Sequence, residues 1–174
     1  YYIADQNMQN ILTSPVLELL NKKGYEVLYL TDPIDEWIMA SGFEYNDFKF
    51  VNVNTEDLKF NEDDDEVKAK VKALKRKYKP MLAWWKRTLT GSEHAFSDVE
   101  DVRISNRLEE SPATVVNSKF SYSANMDRIL SSQFSQGNRE MQEPRTIRKI
   151  LEVNLRHPIV KKLHAMYELS LIHI

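Results

Sequence analysis

The sequence contains no cysteine in 174 residues, which excludes disulfides, thiolate zinc sites and thiol nucleophiles while leaving the compartment open. Glycine is scarce: Gly24, Gly42, Gly91 and Gly137 stand alone, each at the edge of a periodic segment. A phosphate-cradling loop needs clustered glycines so that backbone N–H groups can approach the anion, and there is no such cluster. No apolar run approaches the ~20 residues of a membrane span. The histidines (His94, His157, His164, His173) show no His-Glu-x-x-His spacing, and no Gly-x-Ser-x-Gly elbow occurs. Neither charge sign dominates, since 24 Lys and Arg face 26 Asp and Glu. The net charge of −2 removes the general electrostatic argument for binding nucleic acid, although a local patch can survive it. There is no N-terminal signal pattern; a chain opening on Tyr1-Tyr2-Ile3 is expected to be a piece of something longer. Composition and motifs alone expose no catalytic site.

What is present is enough apolar matter for a core, 42% of residues, in a length that suits one domain or two small ones. Tyr1 to Ala4 reads as a short buried strand. Thr13 to Gly24 reads as a helix with marked ends: Ser14 as cap, Pro15 at the first helical position, Lys22 and Lys23 at the negative end, Gly24 as stop. Tyr25 to Leu30 is rich in β-formers, Thr31-Asp32-Pro33 starts a second helix through Trp37 and Met39 to Gly42, and Phe48 to Val53 alternates as a strand. This spacing predicts right-handed crossovers and a small parallel sheet.

Glu62-Asp63-Asp64-Asp65-Glu66 is a solid acidic block, followed by seven Lys and Arg between Lys68 and Lys79. The plain reading is a helix whose acidic start and basic end both complement its dipole; the sharper one is a charged hinge or nucleic-acid patch. Pro80 predicts a kink or restart before Met81-Leu82-Ala83-Trp84-Trp85. The acidic block marks the expected boundary between an α/β unit at 1–60 and a mixed α+β unit at 61–168. In the second unit Val99–Ile104 and Ala113–Val116 are predicted strands, read as an antiparallel pair. Ser121–Phe134 is a predicted helix, Lys149–Val153 a strand, and His157-Pro158 opens a final helix reaching at least Tyr167.

Three groups of residues invite a functional reading. On the helix near 122–134, Tyr122, Met126, Ile129, Leu130 and Phe134 fall at i, i+4, i+7, i+8 and i+12, one apolar stripe. The stripe either joins the core or stays exposed to hold apolar segments of partners, a task that suits flexible methionine. Trp84 and Trp85, beside Lys86 and Arg87, suggest base stacking, but neighbouring helical aromatics diverge, so core packing with at most one fully buried ring is the expectation. Asp32, Asp35 and Glu36 resemble an acid–base carboxylate set, yet their place at a helix start favours capping.

Several strings occur together and in order: Tyr1-Tyr2-Ile3, Ser14-Pro15, Lys23-Gly24-Tyr25-Glu26-Val27-Leu28, Thr31-Asp32-Pro33-Ile34-Asp35-Glu36, Ser105-Asn106-Arg107-Leu108 with Ser111-Pro112, Ser123-Ala124-Asn125-Met126-Asp127-Arg128-Ile129, Leu151-Glu152-Val153-Asn154 and Arg156-His157-Pro158. Over residues 1 to about 168 they resemble the heat-shock protein 90 chaperones, across the late middle domain and the start of the C-terminal domain. Lys23 to Val27, Trp84-Trp85-Lys86 and Arg156 lean toward the endoplasmic-reticulum branch, which makes the reticulum lumen the expected compartment and the cytoplasm the alternative.

The resemblance implies a segment of an ATP-driven, dimeric chaperone that binds unfolded clients and meets co-chaperones. It implies that ATP and magnesium bind elsewhere in the parent protein, so the segment itself is expected to hold no cofactor or metal, to hydrolyse no ATP, to contact neither nucleic acid nor membrane, and to be mainly monomeric. By the same match Tyr122, Met126, Ile129 and Leu130 become client-contact residues, with Phe134 added by spacing. Three departures stand out: Tyr122 occupies a position where most eukaryotic members carry Trp, Ala113-Thr114 replaces a Cys-containing pair, and 169–174 does not resemble the family's charged helical continuation. The competing reading is a structural inter-domain scaffold with a buried stripe.

Overall fold

A computed structural model describes residues 1–55, 58, 65–90, 99–118 and 149–169. The N-terminal part opens with strand β1 (Tyr2–Ala4), helix α1 (Met8–Leu12), a 3-10 turn (Pro15–Leu17) and helix α2 (Glu18–Lys23). Strand β2 (Leu28–Leu30), helix α3 (Pro33–Ala40) and the hairpin strands β3 (Glu44–Tyr45) and β4 (Phe48–Lys49) follow. Beyond them come the long helix α4 (Asp65–Thr90), strands β5 (Val99–Ile104), β6 (Ala113–Asn117) and β7 (Lys149–Val153), and helix α5 (Pro158–Glu168). The expected small parallel-sheet unit and mixed unit are both present.

β1 pairs in parallel with β2, Tyr2 opposite Leu28, and on its other side takes one parallel bridge from Asn52. The strand expected over 48–53 is therefore split. Its start turns back as a hairpin through Asn46 (φ 49°) and Asp47 (φ 65°), both left-handed as a tight two-residue turn requires, and only its end reaches β1. The helix expected over 13–24 also divides. The Ser14 side chain makes no cap bond; the Leu17 N–H instead donates to the Ser14 carbonyl at 3.2 Å, tightening the first turn. The stop at Gly24 is as read: with φ +71° it donates to Asn21 O while the Tyr25 N–H reaches Leu20 O, a Schellman closure. That closure engages Tyr25, so β2 begins only at Leu28. Helix α1 is an addition to the expected elements, although the Asn7 side chain caps it by accepting from the Gln9 N–H at 2.9 Å.

β5 and β6 are strands but do not pair with each other. The sheet order is β5-β7-β6, with β7 parallel to β5 and antiparallel to β6. Pro80 does not break α4 either. It sits on the exposed side, while Tyr78 and Met81 around it are buried, and that packing outweighs the single lost hydrogen bond.

Alternation along β7 divides the core. Ile150 and Val116 face one cluster with Ile3, Ile11, Val16, Leu17, Leu20, Val53 and Leu58. Leu151 and Val153 face the other, with Tyr78, Met81, Val102, Leu155 and Val160. The first cluster thus takes residues from both sides of the acidic block. Trp85 packs at the edge of the second cluster and Trp84 lies 5.8 Å from the Tyr167 ring, so neither is fully buried.

Candidate functional site

The loop after β5 ties the two clusters together. Arg107 is only 1% exposed, and its guanidinium donates to the Val53 carbonyl (2.5 Å), the Thr55 carbonyl (2.8 Å) and Glu152 Oε1 (2.8 Å). Ser105 Oγ donates to the other Glu152 oxygen at 2.9 Å and accepts the N–H groups of Arg107 and Leu108. Asn106 Nδ2 donates to the Leu58 carbonyl at 2.8 Å. A buried charge is tolerable only when it is neutralised and hydrogen-bonded, and this arrangement supplies both.

A second tie runs from α2. The Glu18 carboxylate accepts the backbone N–H groups of Glu109 (2.6 Å), Glu110 (2.8 Å) and Ser111 (3.1 Å), and the Ser111 hydroxyl. Burial pulls this carboxyl upward, but the Ser111 hydroxyl and the three amides outweigh it and hold it below the ordinary range. On the far side Asp101 links α4 to β5. Burial again opposes its charge, and Lys86 and Arg103, each at 2.9 Å, override it and lower its pKa.

The carboxylates near α3 are structural. Asp32 Oδ1 accepts the Ile34 N–H at 3.0 Å as the cap. Glu36 is buried, and its charge adds to burial in pushing the Tyr2 phenol up, against a lowering hydrogen bond with Asn52. His157 caps α5 through Nδ1, which accepts the Ile159 N–H at 3.2 Å.

The expected client-contact residues Tyr122, Met126, Ile129, Leu130 and Phe134 lie outside the described residues. A different apolar surface is present, one that sequence reasoning missed. On α3, Ile34, Trp37 and Ile38 occur at i, i+3 and i+4 and all are exposed, Trp37 by 52%. The hairpin adds Tyr45 and Phe48, directly opposite each other across β3 and β4 and 62% and 73% exposed. Phe43 stacks on Phe50 at 5.7 Å beside them. Between residues 34 and 48, large apolar side chains are thus exposed on both α3 and the hairpin. The signal is legible in the Ile34-Trp37-Ile38 spacing, which the capping residues overshadow.

Among the described residues no group of three or more His, Asp or Glu is placed to hold a metal ion. No described helix is long and apolar enough to cross a membrane. Gly24 and Gly42 both adopt left-handed backbone (φ +71° and +85°), and a Cβ at either would meet no protein atom within 4 Å, so the turn geometry rather than close packing calls for glycine there.

These features describe a mixed α/β module locked by a buried ion pair and presenting an apolar face. The family model described as Hsp90 protein matches residues 1–170, and the chain belongs to this family of heat-shock chaperones. It is similar to the endoplasmin homolog of Arabidopsis thaliana, 44% identical over 164 residues that cover 94% of this chain and 18% of that protein. The endoplasmin homolog of Dictyostelium discoideum is 37% identical over 164 residues, 94% of this chain and 20% of the relative. The chloroplastic heat shock protein 90-5 of Arabidopsis thaliana is 38% identical over 165 residues, 95% of this chain and again 20% of the relative. The chain thus spans about a fifth of the curated relatives it matches.

Proposed function

We propose that the chain is a client-binding and inter-domain segment of an ATP-driven chaperone, drawn from the late middle and early C-terminal domains, with nucleotide and magnesium bound elsewhere in the parent. The observation that carries this reading is the outward apolar face of α3 and the hairpin. Large aromatic side chains held on regular elements, without cover among the described residues, suit the capture of apolar stretches in unfolded chains. The Tyr122–Phe134 stripe supplies a second contact surface in the same reading. Its partners are unfolded or partly folded polypeptides and co-chaperones. The parent is a homodimer and this segment alone a monomer. The names of the endoplasmin relatives favour the reticulum lumen; the chloroplastic relative shows that the similarity extends to another compartment.

The test is binding of a permanently unfolded, reduced and alkylated protein to the chain and to two variants. Trp37→Ala with Phe48→Ala, and Met126→Ala with Leu130→Ala, each weaken binding while changing folding stability by less than about 0.5 kcal/mol per exposed position. A loss of about 2–5 kcal/mol per truncation, with binding by the folded fraction intact, supports the scaffold reading instead. The Arg107 junction, which joins segments from 53 to 152, is the observation that favours that second reading.

A further inference from the structure

A cleft of about 620 Å³ runs between α4 and β5, and no role described above uses it. Its floor is apolar: Leu82, Val102, Ile104, Leu108 and Leu155 line it, all buried or half-buried. Its rim is basic. Lys75, Lys79, Leu82 and Lys86 fall at i, i+4, i+7 and i+11, a single stripe of α4, and Arg103 and Arg156 face the same space from the other wall.

The charges within the cleft leave cations over. The two carboxylates lining it are already matched, Glu109 by Lys22 at 2.7 Å and Glu152 by Arg107 at 2.8 Å. Lys86 and Arg103 both reach the Asp101 carboxylate, each at 2.9 Å. Lys75, Lys79 and Arg156 have no carboxylate within ion-pair distance among the described residues, and all three are exposed. A small inorganic anion satisfies the rim but leaves the apolar floor wet. An occupant that meets both is an acidic chain carrying large apolar side chains. From Lys75 to Lys86 the stripe is roughly 16 Å long at 1.5 Å per residue, room for about five residues of extended peptide.

We propose that this cleft is a docking site for an extended acidic segment of a separate polypeptide, about five residues long, whose carboxylates meet Lys75, Lys79 and Arg156 while alternate apolar side chains enter the floor. Asp65 and Glu66 of the chain's own acidic block belong to the first turn of α4, about 15 Å along the same helix from Lys75, and a helix does not fold back onto its own later turns.

The test uses the full 174-residue chain and a fluorescent peptide with the core Asp-Leu-Glu-Phe-Asp, read by anisotropy, beside a counterpart with Lys at each acidic position. The acidic probe binds saturably and the basic one does not. Lys75→Glu with Lys79→Glu weakens binding at least tenfold with an unchanged thermal melt, whereas Lys161→Glu with Lys162→Glu, exposed on α5 and outside the cleft, leaves it unchanged. Equal binding of the basic probe, or equal loss in both double variants, overturns the site in favour of diffuse electrostatics. A tenfold gain in probe affinity after Glu62→Gln, Asp63→Asn and Asp64→Asn overturns the separate polypeptide, because the chain's own block then occupies the cleft. Trp37→Ala leaves probe binding unchanged, which keeps this result independent of the client-binding reading.

Discussion

Arg107 and Glu152, 45 positions apart, form a buried ion pair at 2.8 Å whose guanidinium also holds two backbone carbonyls of the N-terminal part. Removing either partner strands a charge in a dry site, so Arg107→Ala or Glu152→Ala is expected to cost about 3–5 kcal/mol in urea denaturation. The double change Arg107→Met with Glu152→Leu is expected to cost less than either single change, because no charge is left uncompensated.

Glu18 gives stability a pH dependence of known sign. Its folded pKa lies below the ordinary value of 4.5, so the unfolded chain binds the proton more readily. Its contribution is complete above about pH 4.5 and is lost as pH falls through the depressed folded value. Denaturation midpoints measured from pH 6 downward are expected to fall in this range, with a shallower fall in Glu18→Gln.

Gly24 is strained for any other residue but not crowded, with φ +71° and no atom within 4 Å of the place a methyl would occupy. Gly24→Ala is therefore expected to cost only the left-handed backbone penalty, about 1–2 kcal/mol in thermal denaturation.

Pro80 lies within a continuous helix on its exposed side. Pro80→Ala restores one backbone hydrogen bond and removes no buried contact. It is expected to raise stability by up to about 3 kcal/mol in the same assay.

Met81, fully buried, sets a reference for the exposed aromatics. Met81→Ala is expected to cost about 2–5 kcal/mol, against less than about 0.5 kcal/mol for Phe48→Ser. Capture of an unfolded polypeptide is expected to follow the reverse order, unchanged by the first in its folded fraction and weakened by the second.

What is legible in the sequence is what neighbouring residues decide. Asp32-Pro33 and His157-Pro158 announce helix starts because cap and first turn are adjacent, and Gly24 announces a stop for the same reason. The pairing of β5 with β6 is misread because the strand between them arrives only at Lys149, and no local pattern reports a partner so distant. Arg107 passes as one residue of a familiar string, since its burial is set by carbonyls at Val53 and Thr55 and a carboxylate at Glu152, all far off in sequence. Of the kink or restart that Pro80 suggests, the restart does not occur, because intrinsic propensity ignores the tertiary packing of Tyr78 and Met81. The client-contact stripe rests on spacing and resemblance alone, while the exposed face of α3 is available as an Ile34-Trp37-Ile38 pattern.

The middle strand of the β5-β7-β6 sheet is the last of the three to be synthesised. At roughly 5–20 residues per second, a ribosome needs about 2–7 s to travel from the end of β6 to the end of β7. Throughout that interval two strands wait without the one that joins them, Arg107 has no Glu152, and the N-terminal cluster lacks Ile150. When β7 emerges, its five residues supply Ile150 to the first cluster and Glu152 to the ion pair, and the second cluster is complete only once Leu155 and Val160 follow.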